Sequence, residues 1–147
     1  MEVELDMCLN TNVIYVMLSL LWICIILGLS CIPGELSSKL SKGAISKSGK
    51  KIFNIADTKW LHYYIRRSCH PIEFFVLEIL LTFSFSEQIR IQPYAVFIAV
   101  VIAVFDEFVK LFIKGRHFSF EDIILDLVGI AIAVIVIYCI EEAVYEI

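Results

Sequence analysis

Eight side chains of this chain are of types that could do chemistry together: His70, Glu73, Asp106 and Glu107, which can move protons, and Arg66, Arg116, Asp122 and Asp126, which can hold a polar molecule. An imidazole beside a carboxylate exchanges protons near neutral pH, with the carboxylate fixing the ring. A guanidinium presents forked donors that match the oxygens of a phosphate or carboxylate. Carboxylates are also hard oxygen ligands for Mg²⁺, Mn²⁺ or Ca²⁺. No spacing here forms a diagnostic metal motif, so metal and cofactor are left unknown. The setting is unusual: FDEFVKLF, Phe105 to Phe112, closes an apolar run that opens at Pro93 with PYAVFIAVVIAV. An ionised Asp at the centre of a membrane helix is disfavoured by about 2.5–3.5 kcal/mol, and by less near the interface.

The elements that must position these groups follow from composition. With 147 residues, 60% of them hydrophobic and 19% charged, and a mean hydropathy of +0.86, the chain is far more apolar than a soluble domain requires. Four apolar segments, at about 13–31, 70–86, 93–112 and 122–140, approach the roughly 20 helical residues that cross a hydrocarbon core. Lipid offers no partner to an open strand edge, so the spans must be helices. The expected fold is all-α: one membrane domain over 1–147, a small bundle of four transmembrane helices. Val13 to Ser30 follows Glu2, Glu4 and Asp6 with no Lys or Arg before it, so it is expected to be a retained helix rather than a signal peptide. Cys8, Cys24, Cys31, Cys69 and Cys139 show no C-x-x-C spacing and read as small apolar residues.

Basic residues are unevenly placed. Lys39, Lys42, Lys47, Lys50, Lys51, Lys59, Arg66 and Arg67 lie in the first connection and Lys110, Lys114 and Arg116 in the third, whereas Arg90 alone lies elsewhere. The bias puts both basic connections in the cytoplasm and both termini outside a cell membrane. Gly34 to Lys51 reads as a basic loop able to lie on anionic headgroups. In DTKWLHYYIRRSCH, Asp57 can cap a helix whose face carries Trp60, Leu61, Tyr64 and Ile65, so a short interfacial helix is expected before the second span. A basic loop that borders a membrane span and carries no reading motif gives no support to nucleic-acid binding.

Depth brings the acids together. Asp106 is about 18 Å along the helix from Tyr94 at 1.5 Å per residue, Glu73 is in the first turn of the second span, and Asp126 is one turn into the fourth. Because successive spans alternate in direction, Glu73, Asp106, Glu107, Asp122 and Asp126 are expected at one interface, with Arg66, Arg67, His70, Lys110 and Arg116 above them. Plainer roles exist for several. Asp106 and Lys110 have the i,i+4 spacing of an ordinary ion pair. Ser119 and Asp122 of SFED form a capping box. His70 precedes Pro71, a favoured first helical residue, and so fits a helix cap. Asp122, Asp126, Gly129 and Ala133 form a stripe whose small residues permit close helix contact.

Three stretches together resemble the VanZ-like membrane protein family: SCIPGELSSKLSKG (30–43), IRRSCHPIEFFVLEILL (65–81) and FDEFVKLFIKGRHFSFEDIILDLVG (105–129). Arg66, His70, Glu73, Asp106, Glu107, Phe112, Gly115, Arg116, Ser119, Asp122, Asp126 and Gly129 fall on its motif positions. Lys110 stands where Gln is usual, Glu78 where Gly is usual and Ile32 where Gln is usual, and Pro71 is atypical. The resemblance implies a link to glycopeptide-type antibiotic resistance. The expected function is a site that binds or modifies a polar envelope lipid or lipid-linked cell-wall precursor, with membrane lipids as partners. The contrasting expectation is a small transporter or a non-catalytic accessory subunit, because paired membrane charges also mark ion paths.

Overall fold

A computed structural model describes residues 2–33, 58–85 and 92–145, of which 2–11, 58–66 and 145 are described by their backbone alone. Gly34 to Lys51, Asp57 and Arg90 lie outside the described residues, as do the side chains of Arg66 and of the aromatic face Trp60, Leu61, Tyr64 and Ile65. Four helices make up the described structure: α1 (Glu2–Ser30), α2 (Thr58–Phe85), α3 (Pro93–Lys110) and α4 (Phe120–Tyr145). There is no strand among the described residues. Three of the helices are long and apolar enough to cross a membrane, over Asn12–Ser30, Arg67–Phe85 and Phe120–Val144. α3 has 18 residues and carries Asp106, Glu107 and Lys110 within them.

The helices form because their apolar residues run for many turns with helix breakers confined to useful places. Pro93 opens α3 at a position where its missing N–H costs nothing. Pro71 does not open a helix, contrary to the expectation of a cap at His70. It lies inside α2, which runs unbroken for 28 residues. In place of a short interfacial helix followed by a separate span there is one helix, because the residues before Pro71 keep the helical pattern as their polarity rises. Pro71 cannot donate to the carbonyl of Arg67, and α4 closes on α2 at this same point.

α2 is central and touches the other three helices, while α1 and α4 do not touch each other among the described residues. The core is Ile26, Phe74, Leu77, Leu81, Ala95, Ala99, Ala103 and Ile130. Ala95, Ala99 and Ala103 recur every fourth residue, so α3 offers a flat stripe on which the larger side chains of α2 can rest. The outside is apolar: Met17, Leu21, Phe97, Phe112, Phe120 and Ile135 are all more than half exposed, a surface suited to lipid rather than water. Alternating helix direction is visible in the contacts. The middle of α2 meets the later part of α1, with Trp22 Nε1 donating to the Glu73 carbonyl at 3.0 Å. The end of α2 meets the earlier part of α1 through Tyr15 stacked on Phe83 and Ser19 Oγ at 3.2 Å from Ser84 Oγ.

The alanine stripe carries a prediction. Ala99 is fully buried, so Ala99→Val adds two methyl groups where no space exists. The expected cost is about 1 kcal/mol, the low end for overpacking, read as a lowered unfolding midpoint in detergent.

Candidate functional site

At the end of the bundle where α1 and α3 finish and α4 begins, the chain must turn twice without leaving backbone groups unsatisfied. Past α3 the helix tightens, with the amides of Leu111, Phe112 and Ile113 bonded three residues back. Gly115 then takes φ 80°, the left-handed region that a side chain disfavours. The turn delivers Arg116 to the end of α1, where Nε donates to the Ile32 carbonyl at 3.1 Å and Nη2 to the Leu29 carbonyl at 3.0 Å. Arg116 therefore caps the end of α1, adding a second donor to the Leu29 carbonyl, which also accepts the Ile32 N–H at 3.3 Å.

α4 starts with Ser119, whose Oγ accepts the Asp122 N–H at 3.3 Å. The reciprocal half of the expected capping box is absent. The Ser119 N–H donates instead to Glu107 Oε2 at 3.1 Å, and the Asp122 carboxylate turns to His70, with Oδ2 3.8 Å from Nε2. Glu107 thus takes the capping role from the preceding helix, at the positive end of the α4 dipole.

Behind this cap lies a buried ionic cluster. Lys110 Nζ is 3.0 Å from Asp106 Oδ2 and is also hydrogen-bonded to Glu107 Oε1. The three side chains are between 0% and 2% exposed, so a full ammonium sits inside the bundle between two carboxylates. On the adjoining side, His70 Nδ1 is 3.1 Å from Asp126 Oδ1, and Asp126 is fully buried. Glu73 is half-buried and within electrostatic reach of His70, Asp106, Asp126 and Lys110. At the rim, Arg67 pairs with the largely exposed Glu121. Two buried oxygens, Asp106 Oδ1 and Asp126 Oδ2, have no hydrogen-bond partner among the described residues.

The expected residues thus gather as follows. Asp106, Glu107, Lys110, His70, Asp122 and Asp126 form one cluster beside the middle of α2, at the start of α4 and the end of α3, and Glu73 borders it. Arg116 is at the same end, engaged with α1. The Arg66 side chain lies outside the described residues. Two features had no counterpart in the sequence reading. One is the Trp22 bond to α2. The other is the role of Glu107 in capping α4, for which the single cue is that SFED follows the acid within one turn-length connection. Glu78 is separate: it is fully buried on α2, accepts from Thr82 Oγ1 at 3.3 Å, and leaves Oε2 without a partner among the described residues.

A close backbone contact sets the geometry. A Cβ placed on Gly129 would lie 2.2 Å from the Pro71 carbonyl oxygen. Only glycine lets α4 approach α2 this closely, and His70 and Asp126 each lie within one helical turn of the contact.

These features define an all-α, multi-pass membrane protein that encloses ionisable side chains at one end of an otherwise apolar bundle. A profile of the family described as VanZ/LLP1 matches residues 15–141. The match covers most of the chain, which therefore belongs to the VanZ family. No match is found among curated proteins or among solved structures.

Proposed function

We propose that this VanZ-family protein holds the polar head of an envelope lipid or lipid-linked cell-wall precursor at the surface of the cell membrane, and through that contact contributes to glycopeptide resistance. The observation that carries the reading is the mismatch between the buried cluster and its counter-charges. Asp106, Glu107 and Asp126 are buried, with Asp122 and Glu73 beside them, and among the described residues the ion pairs made by the buried acids and Asp122 are with Lys110 and His70. Acceptors in excess are suited to the hydroxyl and amino groups of a sugar-bearing or amine-bearing headgroup. Arg67 and Arg116 lie near the same end, where a guanidinium can engage a phosphate. His70, held by Asp126, is placed to move a proton on a bound headgroup.

The reading takes α3 as a fourth span. Its 18 residues reach about 27 Å, and Asp106, Glu107 and Lys110 all turn inward while Phe97, Val101, Val104 and Phe108 face out. The charge bias puts the cluster end on the cytoplasmic side. A cysteine introduced at Arg116 and labelled from one side of sealed vesicles decides the orientation. The functional test replaces His70, Glu73, Asp106 and Arg116 singly by Ala at matched expression. Loss of resistance and an altered envelope-lipid profile are expected; unchanged susceptibility and lipids in all four overturn the reading.

A second reading, ion or proton transport, is favoured by Glu78. It is about 12 Å deeper along α2 than His70, and an intramembrane carboxyl with an oxygen unpartnered among the described residues is expensive unless it does something. Proton flux in reconstituted vesicles, lost on Glu78→Gln, would support it over lipid binding.

A further inference from the structure

We propose that His70, Glu107 and Asp122 bind a divalent first-row transition cation of the Mn²⁺ or Zn²⁺ kind, with Asp126 as the residue that positions His70. The argument begins with the two nitrogens of one imidazole. Nδ1 faces Asp126 Oδ1 at 3.1 Å. A buried carboxylate in that place accepts, which assigns the proton to Nδ1 and leaves the lone pair on Nε2. Nε2 faces Asp122 Oδ2 at 3.8 Å. That separation is too long for a hydrogen bond, yet two donors that share one ion at about 2.1 Å stand roughly 3–4 Å apart. The third donor is Glu107: one ligand atom from each of His70, Glu107 and Asp122 lies within 4.8 Å of the others. Small side-chain movements bring all three to bonding distance.

A carboxylate that holds the far nitrogen of a metal-binding imidazole is the usual outer partner of such sites, since it fixes both tautomer and ring plane. Asp126 occupies that place, fully buried. Its other oxygen, Oδ2, and Asp106 Oδ1 are buried without partners among the described residues, and there Asp106, Glu107, Asp122 and Asp126 face one ammonium and one imidazole, an excess of negative charge. A divalent charge relieves it, and Lys110 meets only part of the need. Glu107 can serve although Oε1 takes Lys110 and Oε2 takes the Ser119 N–H, because each carboxylate oxygen keeps a second lone pair. The donor set decides the class of metal. One imidazole nitrogen favours Mn²⁺, Fe²⁺ or Zn²⁺ over Mg²⁺ and Ca²⁺, which prefer oxygen alone.

The test uses purified full-length protein in detergent, stripped with chelator and titrated with Mn²⁺. Saturable binding of about one ion per chain is expected, and pulsed electron paramagnetic resonance of the wild-type complex should show a directly coupled imidazole ¹⁴N. His70→Gln should remove the nitrogen coupling and weaken binding at least tenfold. Asp126→Asn should weaken binding about 10- to 100-fold while the coupling persists. Glu142→Gln, at the far end of α4, should change neither. Folded wild-type protein that binds no Mn²⁺, or binds it without a coupled nitrogen, overturns the proposal. The nitrogen signal is read on wild type, so it decides even where a variant does not fold. No lipid enters the measurement, so its failure leaves the lipid-handling reading standing, and the failure of that reading leaves this one.

Discussion

Gly129→Ala is expected to destabilise the protein by about 3 kcal/mol or more, at or beyond the upper end for an overpacked site. The added Cβ would lie 2.2 Å from the Pro71 carbonyl oxygen and 2.8 Å from its carbonyl carbon and Cα. These are backbone atoms of the central helix, so no rotamer change relieves the collision. α4 must withdraw from α2 as a unit. The same withdrawal separates Asp126 from His70, now at 3.1 Å, and leaves the already half-unpartnered Asp126 carboxylate buried with no donor. Gly28→Ala is the internal control. Nothing lies within 4 Å of a Cβ at Gly28, and alanine is the better helix former, so no loss is expected there. Unfolding midpoints of the two variants in one detergent check the pair, and equal midpoints would refute the close-contact account.

How much of this was legible in the sequence differs from element to element. Helices α1 and α4 are long apolar runs, and runs of that length cannot satisfy their backbones in lipid any other way, while α3 is a shorter apolar run opened by Pro93. Alternation of helix direction then brought Asp106, Glu107, Asp122 and Asp126 to one end, because distance along a helix is simple arithmetic. The stripe of Asp122, Asp126, Gly129 and Ala133 was legible as spacing. Its partner was not: nothing in a single sequence says that Gly129 meets Pro71. Proline's preference for first turns argued for a helix start at His70, and tertiary packing of α2 overrode that local preference. The capping box of SFED was half right for a related reason. Local chemistry names Asp122 as the acid that returns to Ser119, but Glu107, near in space through the Gly115 turn, reaches the Ser119 N–H and frees Asp122 to face His70. Arg116 was legible as a guanidinium near the site, whereas its bonds to the end of α1 depend on where the turn after α3 sets it against that helix.

Lys110→Met is the other large effect, an expected loss of about 3–5 kcal/mol, the range for stripping one partner from a buried ion pair. An i,i+4 pair of Asp and Lys on an exposed helix would contribute only a few tenths of a kcal/mol, and by spacing alone Asp106 and Lys110 are such a pair. Burial changes the sign of the reasoning. Lys110 is 2% exposed, Asp106 1% and Glu107 0%, so removal of the ammonium leaves two adjacent buried carboxylates without the cation that bridges them. Asp106 Oδ1 is already without a partner among the described residues; Oδ2 would join it. A second substitution separates lost attraction from lost packing. Asp106→Asn in the Lys110→Met background should recover part of the stability, giving a coupling energy of about 1–3 kcal/mol in a double-mutant cycle. A coupling near zero would show that the methylene stem rather than the charge holds the site. Because Lys110 and a divalent cation draw on the same Glu107 carboxylate, Lys110→Met should also bind Mn²⁺ more tightly than wild type. Its unfolding midpoint should then rise further on Mn²⁺ addition than the wild-type midpoint does, as mass action requires of a ligand that binds only the folded state.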